Sequence, residues 1–250
     1  MRYAALSDTG KVRTQNEDTW NIILNKEKLP IGFVVADGMG GHRAGDIASR
    51  IAVEVMSETI VSLAELSMNL EDAEIFLRDG VDEANRRIIQ YSADFLQGVP
   101  SGTTLTAAFL DGPMMILIHI GDSRAYLFRN RNARLLSKDH TYVAELVAKG
   151  ALNTDAAKVH PERNKVTRAL GFDFTMKPDV FWERIHGNDL LLFCTDGLTE
   201  YVCEPEMMNI LRRFDPETAV KELVALANNR GGKDNVTVIV VQIDKTDIEK

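Results

Sequence analysis

The chain has 250 residues, 45% hydrophobic and 26% charged, an ordinary balance for a folded domain with a sizeable core. A formal net charge of -8 disfavours nonspecific binding to nucleic acid or anionic membranes. Its two cysteines, Cys194 and Cys203, suggest neither a disulfide framework nor a zinc cluster; no apolar run reaches the length of a membrane span, and no signal-peptide core is seen, so a cytoplasmic location is expected.

Residues 2–6 read as a short first strand, followed by a turn at Ser7-Asp8-Thr9-Gly10. A polar, charged stretch leads to Asp18, which opens a strand through Trp20, Ile22 and Leu24. After a loop over residues 25–30, the apolar run from Ile31 to Ala36 reads as a buried strand. It stops abruptly at Asp37-Gly38-Met39-Gly40-Gly41-His42, where the glycines allow a sharp turn and a close approach. If these strands form a hairpin with Leu24 facing Ile31, counting outward sets Asp18 opposite Asp37. Arg13 then lies just beyond that end. Adjacent strands are about 4.8 Å apart, so the two acids would crowd one edge.

The period then changes. Residues 46–66 carry Ile47, Ile51, Val55, Ile60 and Leu63 at helical spacing. Residues 71–96 carry Ile75, Val81, Ile88, Ile89 and Leu96, and both segments are expected to be helices covering a sheet. Residues 103–110 and 114–120 read as strands joined by Asp111-Gly112-Pro113. With Leu110 facing Met115, Thr103 falls opposite Asp122, which follows the second strand. Ser101, Thr103 and Thr104 read as packing at a strand start, and Met114 and Met115 as core. A hairpin through Asn130-Arg131-Asn132 follows, then a polar excursion over residues 139–171 with a helix near 141–149. The run Leu190-Leu191-Leu192-Phe193-Cys194 is another buried strand and ends in Thr195-Asp196-Gly197. Helices are expected at 206–213 and 216–229. A last strand over 236–243 begins after Asp234-Asn235. If it runs antiparallel beside the preceding strand, Asp196 and Asp234 share an edge. The tail, residues 244–250, is charged and expected to be frayed.

Five acids therefore sit at strand ends: Asp18, Asp37, Asp122, Asp196 and Asp234. Unit charges about 4 Å apart at an effective dielectric of about 20 interact by about 4 kcal/mol, so carboxylates gathered in one place call for protons or cations. Oxygen-only ligands favour hard ions, Mg²⁺ or Mn²⁺, over zinc.

These residues carry a resemblance to the type 2C metal-dependent serine/threonine protein phosphatases, most similar to the compact bacterial branch. The matching pieces run in family order: Arg13 with Asn16-Glu17-Asp18; Asp37-Gly38-Met39-Gly40-Gly41-His42; Ser101-Gly102-Thr103-Thr104; Gly121-Asp122-Ser123-Arg124; His160-Pro161 with Arg163-Asn164, then Thr167-Arg168-Ala169-Leu170-Gly171; Thr195-Asp196-Gly197; and Asp234-Asn235. The resemblance implies an α+β fold, a four-layer α-β-β-α sandwich of two mainly antiparallel sheets flanked by helices. It implies one phosphatase domain over residues 1–243, with a flap at about 139–171 that borders the cleft. It also implies two Mn²⁺ or Mg²⁺ ions, with a third position. By the same resemblance Asp37 bridges both ions, Asp196 and Asp234 hold the first, and the Gly38 carbonyl helps hold the second. Glu17 and Asp18 bind metal waters, Asp122 with Asp196 matches the third-metal position, and Arg13 clamps the substrate phosphate.

The mechanism so implied is in-line attack on phosphorus by a metal-bridged hydroxide, without a phosphoenzyme. A thiol route is unsupported, since the residue six positions after Cys194 is Glu200 and after Cys203 is Asn209, neither of them arginine. One departure stands out: eukaryotic relatives place a histidine, the proposed general acid, where this chain has Met39. His42 reads first as helix-start structure, and a metal-bound water is the expected proton donor. His160 and Arg163 read as flap structure. The expected function is hydrolysis of phosphoserine and phosphothreonine on proteins by a monomer, with phosphorylated proteins and a cognate bacterial serine/threonine kinase as partners. The alternatives are a non-enzymatic sensor or scaffold on this fold and a small-phosphoester hydrolase. Retention of Asp37, Asp196 and Asp234 argues against the first.

Overall fold

The structure, a computed structural model, describes residues 1–40, 44–66 and 68–247. The chain begins with strands β1 (Arg2–Asp8), β2 (Asp18–Leu24) and β3 (Pro30–Met39), followed by helices α1 (Gly45–Leu66) and α2 (Leu70–Phe95). Strands β4 (Gly102–Thr103), β5 (Leu105–Asp111), β6 (Met114–Ile120), β7 (Arg124–Arg129) and β8 (Asn132–Leu135) come next. The excursion contains α3 (Tyr142–Ala148) and α4 (Thr154–Lys158). The chain then returns through β9 (Asp179–Arg184), β10 (Leu190–Cys194), α5 (Asp196–Thr199), α6 (Glu204–Arg213), α7 (Pro216–Asn229) and β11 (Val236–Gln242).

Two antiparallel sheets result. One has the order β1-β11-β10-β7-β8, the other β2-β3-β5-β6-β9 with β4 paired to β3. Side chains alternate across a strand, so a strand buried on both faces must be apolar throughout. In β3, Phe33 and Val35 point between the sheets and join Leu117, Leu127, Phe193 and Ile239. Phe33 stacks on Phe193 across that interface with ring centroids 5.5 Å apart. Val34 and Ala36 point outward and pack with Ala48, Ala52, Met56 and Ile60 of α1. On the far side Leu192, Val238 and Val240 bury α6 and α7 through Leu211 and Leu223. Helices, sheet, sheet and helices thus form the four layers.

Small residues set how closely the outer helices approach. A Cβ at Gly80 of α2 would meet Thr59 Oγ1 of α1 at 2.6 Å, so the helix contact needs glycine there. The buried face of α2 is Ala73, Leu77, Val81, Ala84 and Ile88. Ile75, expected on that face, is 58% exposed, since it lies two residues off the stripe.

The β2–β3 register pairs Asp18 with Asp37, as counting predicted. An irregularity between Ile23 and Leu24 places Leu24 opposite Pro30 rather than Ile31. The expected partner of Asp122 is corrected. Leu110 does face Met115, but the β5–β6 ladder ends at Leu105 and Ile120. Thr103 leaves that ladder and pairs with Gly38 instead. The tail is also tied down as far as Asp247, where a short 3₁₀ turn forms and the Met1 ammonium binds the Asp247 carboxylate at 2.7 Å. Among the described residues no helix is long and apolar enough to cross a membrane.

Candidate active site

All five acids lie at one end of the sandwich, where the ends of both sheets meet. Sequence counting paired acids within each edge, and the hydrogen bonds now join the edges. Asp18 opens β2 in one sheet, yet its Oδ2 accepts from Thr195 Oγ1 at 2.9 Å and Thr237 Oγ1 at 2.7 Å in the other. Its Oδ1 is buried and has no partner among the described residues. Burial, offset in part by those hydroxyls and reinforced by Asp196 and Asp234, pushes the Asp18 carboxyl up to about 7.

Asp37 is partly exposed at the cleft, and its backbone is held on both sides. Its N–H donates to Thr104 Oγ1 at 2.9 Å, and its carbonyl accepts from Thr104 N and Thr103 Oγ1, both at 2.9 Å. Thr103 and Thr104, read from sequence as packing, thus hold the central acid in place. Desolvation, then Asp18, Asp196, Asp122 and Asp234, raise the Asp37 carboxyl well above its usual range. Gly38 is required sterically: a Cβ there would come within 2.2 Å of the Gly45 carbonyl oxygen. Glu17 lies on the other side of this crossing, its carboxyl raised by burial and by Asp46. Asp46 Oδ1 is a second buried oxygen without a partner among the described residues.

Asp122 follows β6 on a turn at Gly121, whose φ is +109°. Burial, then Asp196 and Asp139, push its carboxyl up to about 8. This turn is gripped from both sides by one dipeptide. Arg124 forms a forked pair with Asp139, with Nη2–Oδ2 at 2.6 Å and Nε–Oδ1 at 2.9 Å. His140 donates its backbone N–H to the Gly121 carbonyl at 2.7 Å, and its Nδ1 accepts the Gly121 N–H at 3.0 Å. His140 Nε2 donates to Asp179 at 3.1 Å, and Asp179 also binds Arg168 at 2.9 Å. His119 is fully buried behind the turn between Thr106 and the carbonyls of Gly121 and Lys138. Burial lowers its ring to about 4 and keeps it neutral.

Asp196 begins α5, its carboxyl raised to about 6 by burial, Asp234 and Glu200. Asp234 precedes β11 and accepts from Arg13 Nη2 at 2.8 Å. Asn235 ties this corner together: it accepts the Glu17 N–H at 2.8 Å and donates to the carbonyls of Thr9 and Gln15 at 2.9 and 3.0 Å. The excursion touches the site through Arg163, which binds Glu200 at 2.8 Å. His42 lies outside the described residues.

Among the described residues, no group of three or more His, Cys, Asp or Glu side chains forms a ready-made shell for a metal. The acids share an electrostatic field instead. Asp18, Asp122, Asp196 and Asp234 all raise Asp37, and the cations bearing on Asp196 are Arg124 and Arg13. An all-oxygen donor set with two unpartnered buried carboxylate oxygens fits a hard divalent cation and does not fit a soft one. Sequence reading missed Asp46, Asp139, Glu200, Thr195 and Thr237 as parts of this field. Their roles depend on pairings across the fold, and only Thr195, adjacent to Asp196, carried a local signal.

The sequence profile of the family described as Protein phosphatase 2C matches residues 11–228. The chain belongs to the protein phosphatase 2C family. The serine/threonine phosphatase stp of Listeria monocytogenes is 38% identical to this phosphatase over 241 residues, covering 96% of this chain and 95% of that one. A serine/threonine phosphatase of S. agalactiae superposes with a TM-score of 0.89 at 32% identity, covering 97% of this chain and 99% of that one. The catalytic domain of the serine/threonine protein phosphatase PstP, solved with two manganese ions, superposes with a TM-score of 0.84 at 31% identity, covering 97% and 98%. The phosphatase is therefore a serine/threonine protein phosphatase, and its two-sheet sandwich is the fold of its family.

Proposed function

We propose that this phosphatase hydrolyses phosphoserine and phosphothreonine on proteins at the acid-lined end of its sandwich. The observation that carries the reading is the placement of Asp18 opposite Asp37 where the two sheets meet, with Asp122, Asp196 and Asp234 in the same field. Asp37, Asp196, Asp234 and the Gly38 carbonyl are the residues we assign to two divalent ions, Mn²⁺ or Mg²⁺. Asp122 with Asp196 would serve a third, and Glu17 and Asp18 would act through water. When bound, such ions supply Lewis acidity at phosphoryl oxygens and lower the pKa of water towards neutrality.

The chain's own residues do the rest. Thr103 and Thr104 fix the backbone of Asp37, so its carboxylate is aimed before substrate arrives. Thr195 and Thr237 hold one oxygen of Asp18 and leave the other, buried, without a partner among the described residues. Arg13 spends one guanidinium nitrogen on Asp234, and its half-exposed side chain leaves further donors for a phosphoryl group. Both cysteines are unsuited to nucleophilic catalysis here: Cys194 is buried, its thiol pushed up to about 12, and Cys203 caps α6 against Glu206. We also assign the flap role to the 139–171 excursion within a single 1–243 domain, a monomeric cytoplasmic state, and a serine/threonine kinase as the opposing enzyme.

The test is Mn²⁺-dependent turnover of phosphopeptides and p-nitrophenyl phosphate by wild type and Asp37→Asn side by side. The expected loss is roughly a thousandfold, within the range for removing a group that stabilises transition-state charge. Equal rates would remove the role given to Asp37. Turnover confined to small phosphoesters would favour the alternative substrate class.

A further inference from the structure

A cleft of about 560 Å³ opens beside the acid-lined end, within the size range of ligand sites. Met39 forms part of one wall, and the end of the excursion with the residues that follow it forms the other, including Val166, Arg168, Phe172 and Met176. Met39, Phe172 and Met176 have no role in the chemistry above. Strand alternation puts Met39 on the same face of β3 as Asp37, about 7 Å further along.

The far wall is firmly built. Asn85 of α2, only 4% exposed, accepts the Gly171 N–H at 2.7 Å and donates to the Asp173 carbonyl at 2.7 Å. Leu170 and Thr103 exchange backbone hydrogen bonds at 2.9 and 3.1 Å. The Phe172 ring covers Gly102, where a Cβ would lie 2.2 Å from Phe172 Cε2. Even so, Phe172 remains 52% exposed. Phe172 is not a lone exposed side chain: Met39, Val166, Ala169 and Met176 line the same cleft and give it a shared apolar face.

We propose that this cleft is a substrate-peptide groove that accepts an apolar side chain close to the phosphorylated residue. The proposal rests on the reading of Asp37 as the centre of the reaction. The occupant follows from that reaction, because a phosphoprotein is the macromolecule that hydrolysis itself brings to Asp37. An extended peptide advances about 3.3 Å per residue, so about two residues span the distance from Asp37 to Met39, where the cleft lined by Phe172 begins. Two of the three charged groups lining the cleft, Arg168 and Asp173, already have hydrogen-bond partners. Arg168 binds Asp179, and Asp173 accepts from Thr175 N and Oγ1, each at 2.8 Å. Apolar contact is left to discriminate between substrates, and Lys177 at the rim disfavours a basic neighbour.

The experiment compares phosphothreonine peptides that differ only within three residues of the phosphoresidue, carrying Leu, Ser, Asp or Lys at each position in turn. p-Nitrophenyl phosphate, which has no peptide, is the control. Leu at one flanking position should lower KM about five- to twentyfold relative to Ser, with kcat little changed. Phe172→Ala, checked for an intact melting transition, should erase that preference and leave p-nitrophenyl phosphate turnover unchanged. A wild-type enzyme indifferent to every flanking substitution overturns the groove without any variant being needed. So does a folded Phe172→Ala enzyme that keeps the preference. If neither peptides nor p-nitrophenyl phosphate are turned over, the reading of Asp37 fails and the groove falls with it.

Discussion

Among the described residues Arg13 is the one basic side chain hydrogen-bonded to a proposed metal ligand, and the form of its contact sets its expected sensitivity. A guanidinium offers several donors in a rigid fork, so it can hold Asp234 and still present a flat face to phosphate. Lysine is a point charge on a flexible stem and cannot do both. Arg13→Ala is expected to lower kcat/KM on a phosphopeptide roughly tenfold to a hundredfold, the range for a hydrogen bond to a charged group. Arg13→Lys should recover only a small part of that loss. Steady-state kinetics on both variants decide it, and a lysine enzyme at wild-type kcat/KM would refute the fork argument. At this scale the sequence was informative where an acid ended an apolar run, as at Asp37 and Asp196. It was silent on Thr237, which reads as an ordinary β-branched strand residue. Only the meeting of two sheets turns its hydroxyl towards Asp18.

Between residue and fold, the turn holding Asp122 depends on the Asp139-His140 dipeptide at the neck of the excursion. The Gly121 N–H is buried and has His140 Nδ1 as its acceptor. His140→Ala leaves that donor unpaired and should cost about 1–3 kcal/mol of stability, read from denaturant unfolding. His140→Asn places an amide oxygen near the lost Nδ1 and should recover part of it. His140→Gln, which reaches towards Asp179 instead, should not. Equal stability for the alanine and asparagine variants would show that the Gly121 bond contributes little. Elements were legible where one period ran unbroken. β3, β10 and β11 announced themselves as continuous apolar runs, and hairpin counting gave the Asp18–Asp37 pair correctly. The reading failed where backbone and side-chain hydrogen bonds overrode pattern. Thr103 was drawn from the β5–β6 ladder to β3 because the Asp37 carbonyl there accepts both its hydroxyl and the next amide. The helical stripe of α2 was misjudged because alanines at Ala73 and Ala84 make much of it, and they carry little weight in a pattern of large apolar residues.

For the whole molecule, the gathered acids link stability to pH and metal. The carboxyls of Asp196, Asp18 and Asp122 rise to about 6, 7 and 8, while an unfolded carboxyl titrates near 4. Between about pH 4 and pH 8 these carboxyls therefore hold more protons in the metal-free folded state than in the unfolded state, and their contribution to stability falls as pH rises through that window. Buried His119, its ring lowered to about 4, acts in the opposite sense below about pH 6.5, so the fall is expected chiefly between about pH 6.5 and pH 8. Divalent ions replace the carboxyl protons, so they should stabilise more at pH 8 than at pH 5. Thermal melts with chelator and with Mn²⁺ across this range test it, and a metal-induced gap in Tm that fails to widen with pH would contradict the linkage. The sandwich itself became legible only through motifs in a known order. Hydrophobic periodicity predicts strands but not which strands are neighbours, and the pairing of β1 with β11 joins residues near opposite ends of the chain.

That pairing has a consequence for how the protein is made. β1 lies at the edge of its sheet and has β11 as its neighbour, with Arg2 opposite Gln242 and Asp8 opposite Val236. While a ribosome is still translating, the strands of the other sheet, all encoded before residue 185, can assemble as they emerge. β1 is synthesised first and must wait longest, its ladder groups open until β11 arrives. Asp234 and Asn235, which close the Arg13 corner, come off the ribosome just ahead of that strand. On the role proposed for Asp234, a metal ligand is thus among the last residues to be made, and the first strand is a segment whose edge stays open until then.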